Sequence, residues 1–348
     1  MLYGEFELRD IPLSIPRYFE QVEAFLKPFA LTADRLMERY IGVYRNDELV
    51  GGAGYGGDVI KCVAVDPRMR GEGIVNTLIS QLLSELIAKG LTNIFLFTKP
   101  SNRVMFEDLA FHTIICTDEV LLMETDAKAY PRYLRTLEVL RANDGGVCGA
   151  IVMNANPFTL GHRYLIEQAS AACDRLFVLV VEEDRSMFPA EVRKRLIALG
   201  TADLKNVTVI SGGRYVISGA TFPTYFLKSA DIATDAHARL DAMLFCTGIA
   251  PALGVTDRFV GEEPLDITTA TYNKVLAGTL PAHNIKFHCI KRVEKEGAPI
   301  SASRVRALIK QDKLTDTAAL LPPTTYQFLC SDEAKPIIDK IKNSDSRH

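Results

Sequence analysis

Two short segments carry residues that could bind a polyphosphate and react with it. The first, residues 154–162, reads Asn-Ala-Asn-Pro-Phe-Thr-Leu-Gly-His and follows an apolar run at 147–153. A strand, a tight turn and a helix in succession present free backbone N–H groups and the positive end of the helix to a phosphate. Pro157 favours the turn and Gly161 permits a close approach of the backbone. His162 begins the helix, so its imidazole can point at the same phosphates.

The second segment, residues 300–306, reads Ile-Ser-Ala-Ser-Arg-Val-Arg and opens the last clear helix. Taken singly, these residues have ordinary explanations. A Gly-His pair at a helix start usually caps the helix, Ser303 is typical of an N-cap, and Arg306 is typical of a solvated surface. Both segments, however, occur in the order and on the strand–helix–strand background that a nucleotide-binding parallel sheet requires. We therefore predict that they act together on the phosphates of a nucleotide.

The first segment resembles the (His/Thr)-x-Gly-His signature of the adenylyl- and cytidylyltransferase superfamily, and the second resembles its Ile-Ser-x-Ser-x-x-Arg signature. The resemblance implies that His162 contacts the triphosphate and stabilises charge moving onto the leaving pyrophosphate, while Ser303 and Arg306 bind the β- and γ-phosphates. Thr159 stands where many members have a first histidine and cannot carry positive charge, so more of the stabilisation is expected from His162 and from arginines. The implied catalytic residues are His162, Thr159 and Arg306. The further ATP-binding residues that the resemblance implies are Asn154, Asn156, Gly161, Arg193, Gly261 and Ser301.

A third segment, residues 63–74, has the pattern of a strand, a glycine-containing turn and a helix start. It resembles the Arg-x-x-Gly-x-Gly pyrophosphate loop of GCN5-type N-acetyltransferases, and residues 102–111 resemble the terminal helix and following strand of that fold. The resemblance implies that backbone N–H groups and the helix dipole hold the diphosphate of a coenzyme-A-like group. A simple turn is the competing interpretation. The pantetheine- and diphosphate-binding residues that the resemblance implies are Arg68, Arg70, Gly71 and Gly73.

Apolar periodicity predicts the elements that position these segments. Residues 1–125 alternate short strands with helices, including a long amphipathic stretch from about 73 to 89. Residues 126–146 are predicted as a connecting helix and turn. Nearly continuous apolar strands alternate with helices over 147–330, which favours a parallel sheet covered on both faces, and 331–348 is a polar tail. The predicted fold class is α/β, with an N-terminal GCN5-type acetyltransferase-like domain and a C-terminal Rossmann-like parallel-sheet nucleotidyltransferase domain.

The overall composition limits the kinds of molecule that the protein is expected to bind. The 348 residues carry a net charge of −3, so no strong positive field attracts nucleic acid or an anionic membrane. Apolar runs are too short to span a bilayer, and acidic residues among the first ten predict no signal peptide. Seven cysteines without a Cys-x-x-Cys pair favour reduced thiols over disulfides or zinc. We expect a cytoplasmic protein that binds neither nucleic acid nor a membrane.

The combination of the two domains resembles the citrate lyase ligase family over nearly the whole chain, including residues 218–228, whose chemistry is not otherwise interpretable. The resemblance implies an ATP-dependent ligase that activates acetate as acetyl-adenylate and releases pyrophosphate. The acetyl group would then pass to the thiol of a dephospho-coenzyme-A-like prosthetic group on the acyl carrier subunit of citrate lyase, activating the lyase. Mg²⁺ would share the charge of the triphosphate, with no protein ligands assigned to it.

Two other functions remain open at this point. One is a coenzyme-biosynthesis adenylyltransferase fused to an amine acetyltransferase, which predicts basic residues near 159–162 for a phosphorylated acceptor; the nearest is Arg163. The other is a non-catalytic sensor of acetyl-coenzyme A and ATP, against which the intact His162, Ser303 and Arg306 count. The sequence also leaves open whether the N-terminal domain transfers an acyl group or only holds a pantetheine arm.

Overall fold

The computed structural model describes residues 2–3, 6–69, 71–141, 145–182, 186–217, 222–227, 230–262, 267–295 and 298–344. Arg70 and much of the 218–228 segment lie outside these ranges. The chain forms two compact units, of which the first comprises residues 1–133 and 223–240 and the second 134–222 and 241–348. Among the described residues, no helix has the length and apolar content to cross a bilayer. The domain limits predicted at 125, 146 and 330 stay predictions.

The first unit contains a mainly antiparallel sheet. Its strands are β1 (Leu2–Tyr3), β2 (Phe6–Asp10), β3 (Arg39–Arg45), β4 (Glu48–Gly56), β5 (Val59–Val65), β6 (Phe95–Thr98), β7 (His112–Cys116) and β8 (Leu121–Glu124). The helices along this part of the chain are α1 (Pro16–Leu26), α2 (Ile74–Ala88), α3 (Arg103–Glu107) and α4 (Ala129–Glu138). The strand order is β1-β2-β3-β4-β5-β6-β8-β7, and α2 packs on β4 and β5. The β3–β4 turn has positive φ at Asn46 and Asp47, as a tight hairpin requires.

The second unit contains a parallel sheet. Its strands are β9 (Cys148–Met153), β10 (Arg175–Val180), β11 (Val207–Ser211), β12 (Asp257–Gly261) and β13 (Lys286–Ile290), followed by the short hairpin of β14 (Glu294–Lys295) and β15 (Ala298–Pro299). The helices along this part of the chain are α5 (Leu160–Ala171), α6 (Ala190–Gly200), α7 (Ala230–Leu244), α8 (Ala250–Leu253), α9 (Ile267–Thr279), α10 (Ala302–Lys310), α11 (Pro323–Leu329) and α12 (Lys335–Asn343). The predicted α/β class and the parallel sheet are confirmed.

The strand order of the parallel sheet defines a crevice. The order is β11-β10-β9-β12-β13, with every neighbouring pair parallel. The chain therefore leaves β9 towards β10 and β11 on one side and returns to β12 and β13 on the other. In open parallel sheets such a reversal leaves a crevice beyond the carboxyl ends of the two central strands, where ligands bind. The 154–162 segment begins at the carboxyl end of β9, on this crevice.

One hydrophobic core anchors both predicted phosphate-binding segments. Ile151 of β9, Ile166 of α5 and Phe259 of β12 belong to it, and so does Val305 of α10. All four side chains are buried to 2% exposure or less. Because α5 and α10 share this core, their N-termini are brought to the same end of the sheet although about 140 residues separate them in the chain.

Candidate active site

The loop after β9 is held in place by the loop after β10. The side-chain carbonyl of Asn156, which is buried, accepts a hydrogen bond from the Phe188 backbone N–H at 3.0 Å. The Asn154 side-chain oxygen accepts one from the Ser186 hydroxyl at 3.1 Å. Both asparagines thus brace the loop from within. Their predicted contact with ATP stays a prediction.

Arg193 braces the same loop from behind. Its fully buried guanidinium donates to the backbone oxygen of Asn154 at 2.8 Å, to the Asn154 side chain at 2.6 Å and to the Val181 backbone oxygen at 2.7 Å. Its Nε donates to the Phe188 backbone oxygen at 2.9 Å. These acceptors all belong to the protein, so the geometry favours a positioning role. Direct contact between Arg193 and a nucleotide stays a prediction.

Thr159 and His162 form a reciprocal cap at the start of α5. The Thr159 hydroxyl accepts a hydrogen bond from the His162 backbone N–H at 3.4 Å, and the Thr159 backbone N–H donates to Nδ1 of His162 at 3.1 Å. Because Nδ1 accepts this hydrogen bond, a neutral imidazole carries its proton on Nε2. The cap therefore orients the ring and leaves Nε2–H as the donor for a ligand.

The protonation state of His162 follows from its surroundings. Burial, and after it the positive charge of Arg292, lower the pKa of His162 to about 4 from its ordinary value of 6.5. At neutral pH His162 is therefore an uncharged hydrogen-bond donor, and positive charge at the site comes from arginines. Arg292 belongs to neither predicted segment, and its Nε donates to the Glu262 backbone oxygen at 2.8 Å. Its position just beyond the carboxyl end of β13 was the signal that could have identified it.

The second segment presents the N-terminus of α10. Ser301 is the N-cap, and its hydroxyl accepts a hydrogen bond from the Arg304 backbone N–H at 3.2 Å. Ser303 is exposed, and its hydroxyl lies 3.0 Å from that of Ser301. The cap thus uses Ser301, while Ser303 keeps an accessible hydroxyl beside the positive end of the helix.

The two segments contact each other directly. A Cβ built on Gly161 would lie 2.7 Å from the Ile300 backbone oxygen, so only glycine allows this approach. Nη1 of Arg306 donates to the Asn156 backbone oxygen at 2.5 Å. Burial lowers the pKa of Arg306 from its ordinary value. Gly161 therefore serves a contact between the two segments, and Arg306 joins them with part of its donor set.

Gly261 ends β12 on the other side of the crevice. Its backbone oxygen accepts a hydrogen bond from the Asn273 side-chain amide at 3.0 Å. The nearest described atom to a Cβ built there belongs to Leu165, at 3.9 Å. Among the described residues, no atom thus crowds Gly261, and its predicted nucleotide contact stays a prediction.

We expect Arg306→Lys to weaken ATP binding about ten-fold or more, because a lysine cannot hold the Asn156 carbonyl and a phosphate together in fork geometry. AMP lacks the β- and γ-phosphates, so its affinity should change little. Calorimetric titration of both nucleotides measures the contrast. Arg195→Lys is the matched control, since Arg195 makes an exposed ion pair with Glu333 at 2.6 Å. An equal loss for ATP and AMP would place Arg306 away from the terminal phosphates.

The first unit contains the predicted diphosphate loop. Gly71 and Gly73 both adopt left-handed backbone conformations, with φ of 87° and 70°, and Gly73 caps α2. Among the described residues, nothing lies within 4 Å of a Cβ built on either glycine. Arg68 pairs with Glu48 at 2.7 Å and with Asp66 at 2.6 Å, so its guanidinium is already engaged with carboxylates. Arg70 lies outside the described residues, and the four diphosphate assignments stay predictions.

A cavity of about 810 Å³ opens beside this loop. β5 and β6 pair only at Val59–Phe95 and Ile60–Leu96 and then separate, which opens a space between them. The cavity reaches from both glycines of the loop to Tyr225, whose hydroxyl donates to the Phe97 backbone oxygen at 3.3 Å. Its mostly apolar walls suit a flexible, weakly polar chain.

Two family models match this chain, one in each of its two main parts. The model described as "Citrate lyase ligase C-terminal domain" matches residues 148–329, and the one described as "Acetyltransferase (GNAT) family" matches residues 6–111. The second match confirms the predicted GCN5-type fold of the N-terminal part. Two curated relatives carry the name [Citrate [pro-3S]-lyase] ligase. The one from Klebsiella pneumoniae is 42% identical over 89% of this chain and 92% of the relative, and the one from Escherichia coli K12 is 41% identical over 89% of each.

Solved structures resemble parts of the chain. Escherichia coli ElaA is 18% identical with a TM-score of 0.31, covering 35% of this chain and 99% of that one. A putative nicotinate-nucleotide adenylyltransferase from Vibrio parahaemolyticus is 12% identical with a TM-score of 0.35, covering 58% of this chain and 98% of that one.

Proposed function

The chain belongs to the citrate lyase ligase family, and from this premise we propose that it uses ATP to join acetate to the thiol of the citrate lyase acyl carrier. The observation that carries the proposal is the direct contact between two phosphate-binding segments at one crevice. Gly161 abuts Ile300, and Arg306 bonds to the Asn156 carbonyl. Two helix N-termini thereby converge where a triphosphate can span them.

In the first step, a carboxylate oxygen of acetate attacks the α-phosphorus of ATP. The bond from that phosphorus to the bridging oxygen breaks, and pyrophosphate leaves with the electron pair. The Nε2–H of His162 donates to a phosphate oxygen on which charge accumulates, while Ser303 and Arg306 hold the β- and γ-phosphates. No protein nucleophile is required, because orientation and charge stabilisation supply the rate enhancement.

Mg²⁺ is proposed as the partner of the triphosphate. Among the described residues, no group of three or more His, Cys, Asp and Glu side chains could hold a metal ion. We assign Mg²⁺ no protein ligands and propose that oxygens of the phosphates bind it. When bound there, the ion would neutralise phosphate charge.

In the second step, the carrier thiol attacks the carbonyl carbon of acetyl-adenylate. A sulfur–carbon bond forms, the carbon–oxygen bond to the phosphate breaks, AMP leaves with the electron pair, and the thiol proton passes to solvent. The loop at Gly71 and Gly73 and the adjoining cavity would hold the diphosphate and the pantetheine part of the carrier's prosthetic group. The first unit thus acts as the holder of the arm.

The surroundings of Arg163 bear on the competing adenylyltransferase function. That function needs a cation near residues 159–162 for a phosphorylated acceptor, and Arg163 is the nearest in sequence. Its guanidinium pairs with Asp203 at 2.7 Å and with Glu167 at 2.8 Å. A cation neutralised by two carboxylates is a poor phosphate ligand, which favours an acceptor without a phosphate, such as acetate.

Acetate-dependent exchange of labelled pyrophosphate into ATP tests the proposal on the full chain. We expect exchange with acetate, ATP and Mg²⁺ in the absence of the carrier, because adenylate formation precedes the thiol. Omitting acetate should abolish it. A coenzyme-biosynthesis adenylyltransferase would require a phosphorylated acceptor instead, and a sensor would catalyse no exchange with any acid; either result contradicts the proposal.

A further inference from the structure

A buried polar cluster in the second unit is formed by Arg258 of β12, Asp241 near the end of α7 and Tyr272 of α9. Arg258 of β12 is only 2% exposed. The Tyr272 hydroxyl hydrogen-bonds to Arg258 and donates to a carboxylate oxygen of Asp241. The other oxygen of Asp241 accepts the Ile217 backbone N–H at 3.0 Å. Asp241 and Tyr272 are therefore engaged with each other, with backbone and with one edge of the guanidinium.

The guanidinium itself is incompletely satisfied. Within the part of the chain that the structure describes, Nε and Nη1 of Arg258 are buried and have no hydrogen-bond partner. The ring of Phe245 covers one face of the group, with Cζ 4.4 Å from the ring centroid. An aromatic ring stacked on the guanidinium offsets part of the free-energy cost of removing the cation from water. It accepts no hydrogen bond from the N–H groups, which point outward in the plane of the guanidinium. Burying a guanidinium whose N–H donors have no acceptor lowers the stability of the protein. A hydrogen bond to an anionic oxygen best offsets this loss of free energy.

The cluster lies close to the carboxyl edge of the parallel sheet. Asn273, the neighbour of Tyr272, donates to the backbone oxygen of Gly261, the last residue of β12. Ile217, which bonds to Asp241, follows the carboxyl end of β11. Arg258 lies three residues before Gly261, roughly 10 Å along a strand, and its guanidinium contacts Tyr272, the neighbour of Asn273. The cluster that holds the guanidinium thus contacts two segments that reach the carboxyl edge of the sheet.

We propose that Arg258 binds the carboxylate of the acid that is activated, which is acetate in the proposed function. The inference rests on the proposed function and adds the acid-binding residue to it. Phe245 and Cys246 beside the guanidinium provide apolar surface for a methyl group. The neighbouring carboxylate of Asp241 disfavours a doubly charged phosphate more than a singly charged carboxylate. A single charge and a short apolar tail are the properties that this site selects.

The test compares binding and turnover in full-length variants. Arg258→Met and Arg258→Lys should raise the KM for acetate in pyrophosphate exchange by about ten-fold or more, with ATP affinity, measured by calorimetry, unchanged within about two-fold. The matched control is Asp257→Asn, because Asp257 is buried on the same strand but faces the other side. Binding of ¹³C-labelled acetate, followed by NMR with ATP replaced by α,β-methylene-ATP, should be lost in the Arg258 variants and kept in the control.

The outcomes separate this inference from the proposed function. If wild-type protein catalyses exchange and the Arg258 variants keep its acetate KM, Arg258 is a structural residue and the inference is wrong while the function stands. If wild-type protein neither binds acetate nor exchanges, both are overturned. Should both Arg258 variants fail to fold by circular dichroism, Tyr272→Phe serves in their place. It keeps the arginine but removes its hydroxyl partner, and the acetate KM should still rise by about two- to five-fold; an unchanged KM would refute the inference.

Discussion

Replacing His162 by alanine should lower the rate of acetate-dependent pyrophosphate exchange by on the order of 10²–10³, because a donor aimed at developing phosphate charge is lost from the transition state. The affinity for ATP should fall less than the turnover, since the donor acts most strongly where charge accumulates. Initial rates of exchange at saturating ATP and acetate measure the effect. A near-wild-type rate would remove His162 from the catalytic machinery.

Two isosteric variants separate the capping role of His162 from its chemical role. His162→Asn keeps an acceptor near the position of Nδ1, which receives the Thr159 backbone N–H at 3.1 Å, but has no group at the position of Nε2. His162→Gln keeps a donor near Nε2 and loses the cap. We expect the asparagine variant to be stable and as inactive as alanine, and the glutamine variant to be less stable and more active. The reverse order would assign His162 to the cap alone.

The location of the site could be predicted from the sequence because of a general property of parallel sheets. The carboxyl ends of neighbouring strands meet at one edge, so a polar segment after β9 and another at the start of a later helix converge there. Thr159, His162 and Arg306 were identified from the resemblance of the two segments to superfamily signatures, and the structure brings these segments into contact. The limits of β9 followed from the apolar run at 147–153, which agrees with the observed strand within one residue at each end.

The environment of each side chain could not be predicted in the same way. Arg193 and Arg258 are both buried, yet local periodicity does not distinguish them from surface arginines, because their acceptors and neighbours are distant in sequence. The lowered pKa of His162 likewise depends first on burial and then on the charge of Arg292, which is 130 residues away. Long-range packing determines all of these features.

Gly73→Val should lower the rate of acetylation of the carrier thiol by at least about 10²-fold. The rate of acetate-dependent pyrophosphate exchange should stay close to that of the wild type. Gly73 has a φ of 70°, and no atom of the described residues lies within 4 Å of a Cβ added to it. A valine there would cover the first N–H groups of α2, where the diphosphate of the carrier's arm is proposed to bind. His162, Ser303 and Arg306 are untouched by this change. Mass spectrometry of the intact carrier and the exchange assay can be run on one purified preparation.

Gly90→Val is the matched control for backbone strain. Gly90 follows the other end of α2, has a φ of 87°, and within the described residues has no atom within 4 Å of an added Cβ. A side chain costs about 1–2 kcal/mol at either glycine, so both variants should lose similar stability, while Gly90→Val should keep both activities. If Gly73→Val remains folded by circular dichroism and loses exchange together with thiol acetylation, the two half-reactions are not divided between the units. If it loses neither activity, the first unit docks the carrier or stabilises the chain, and its loop does not hold the diphosphate.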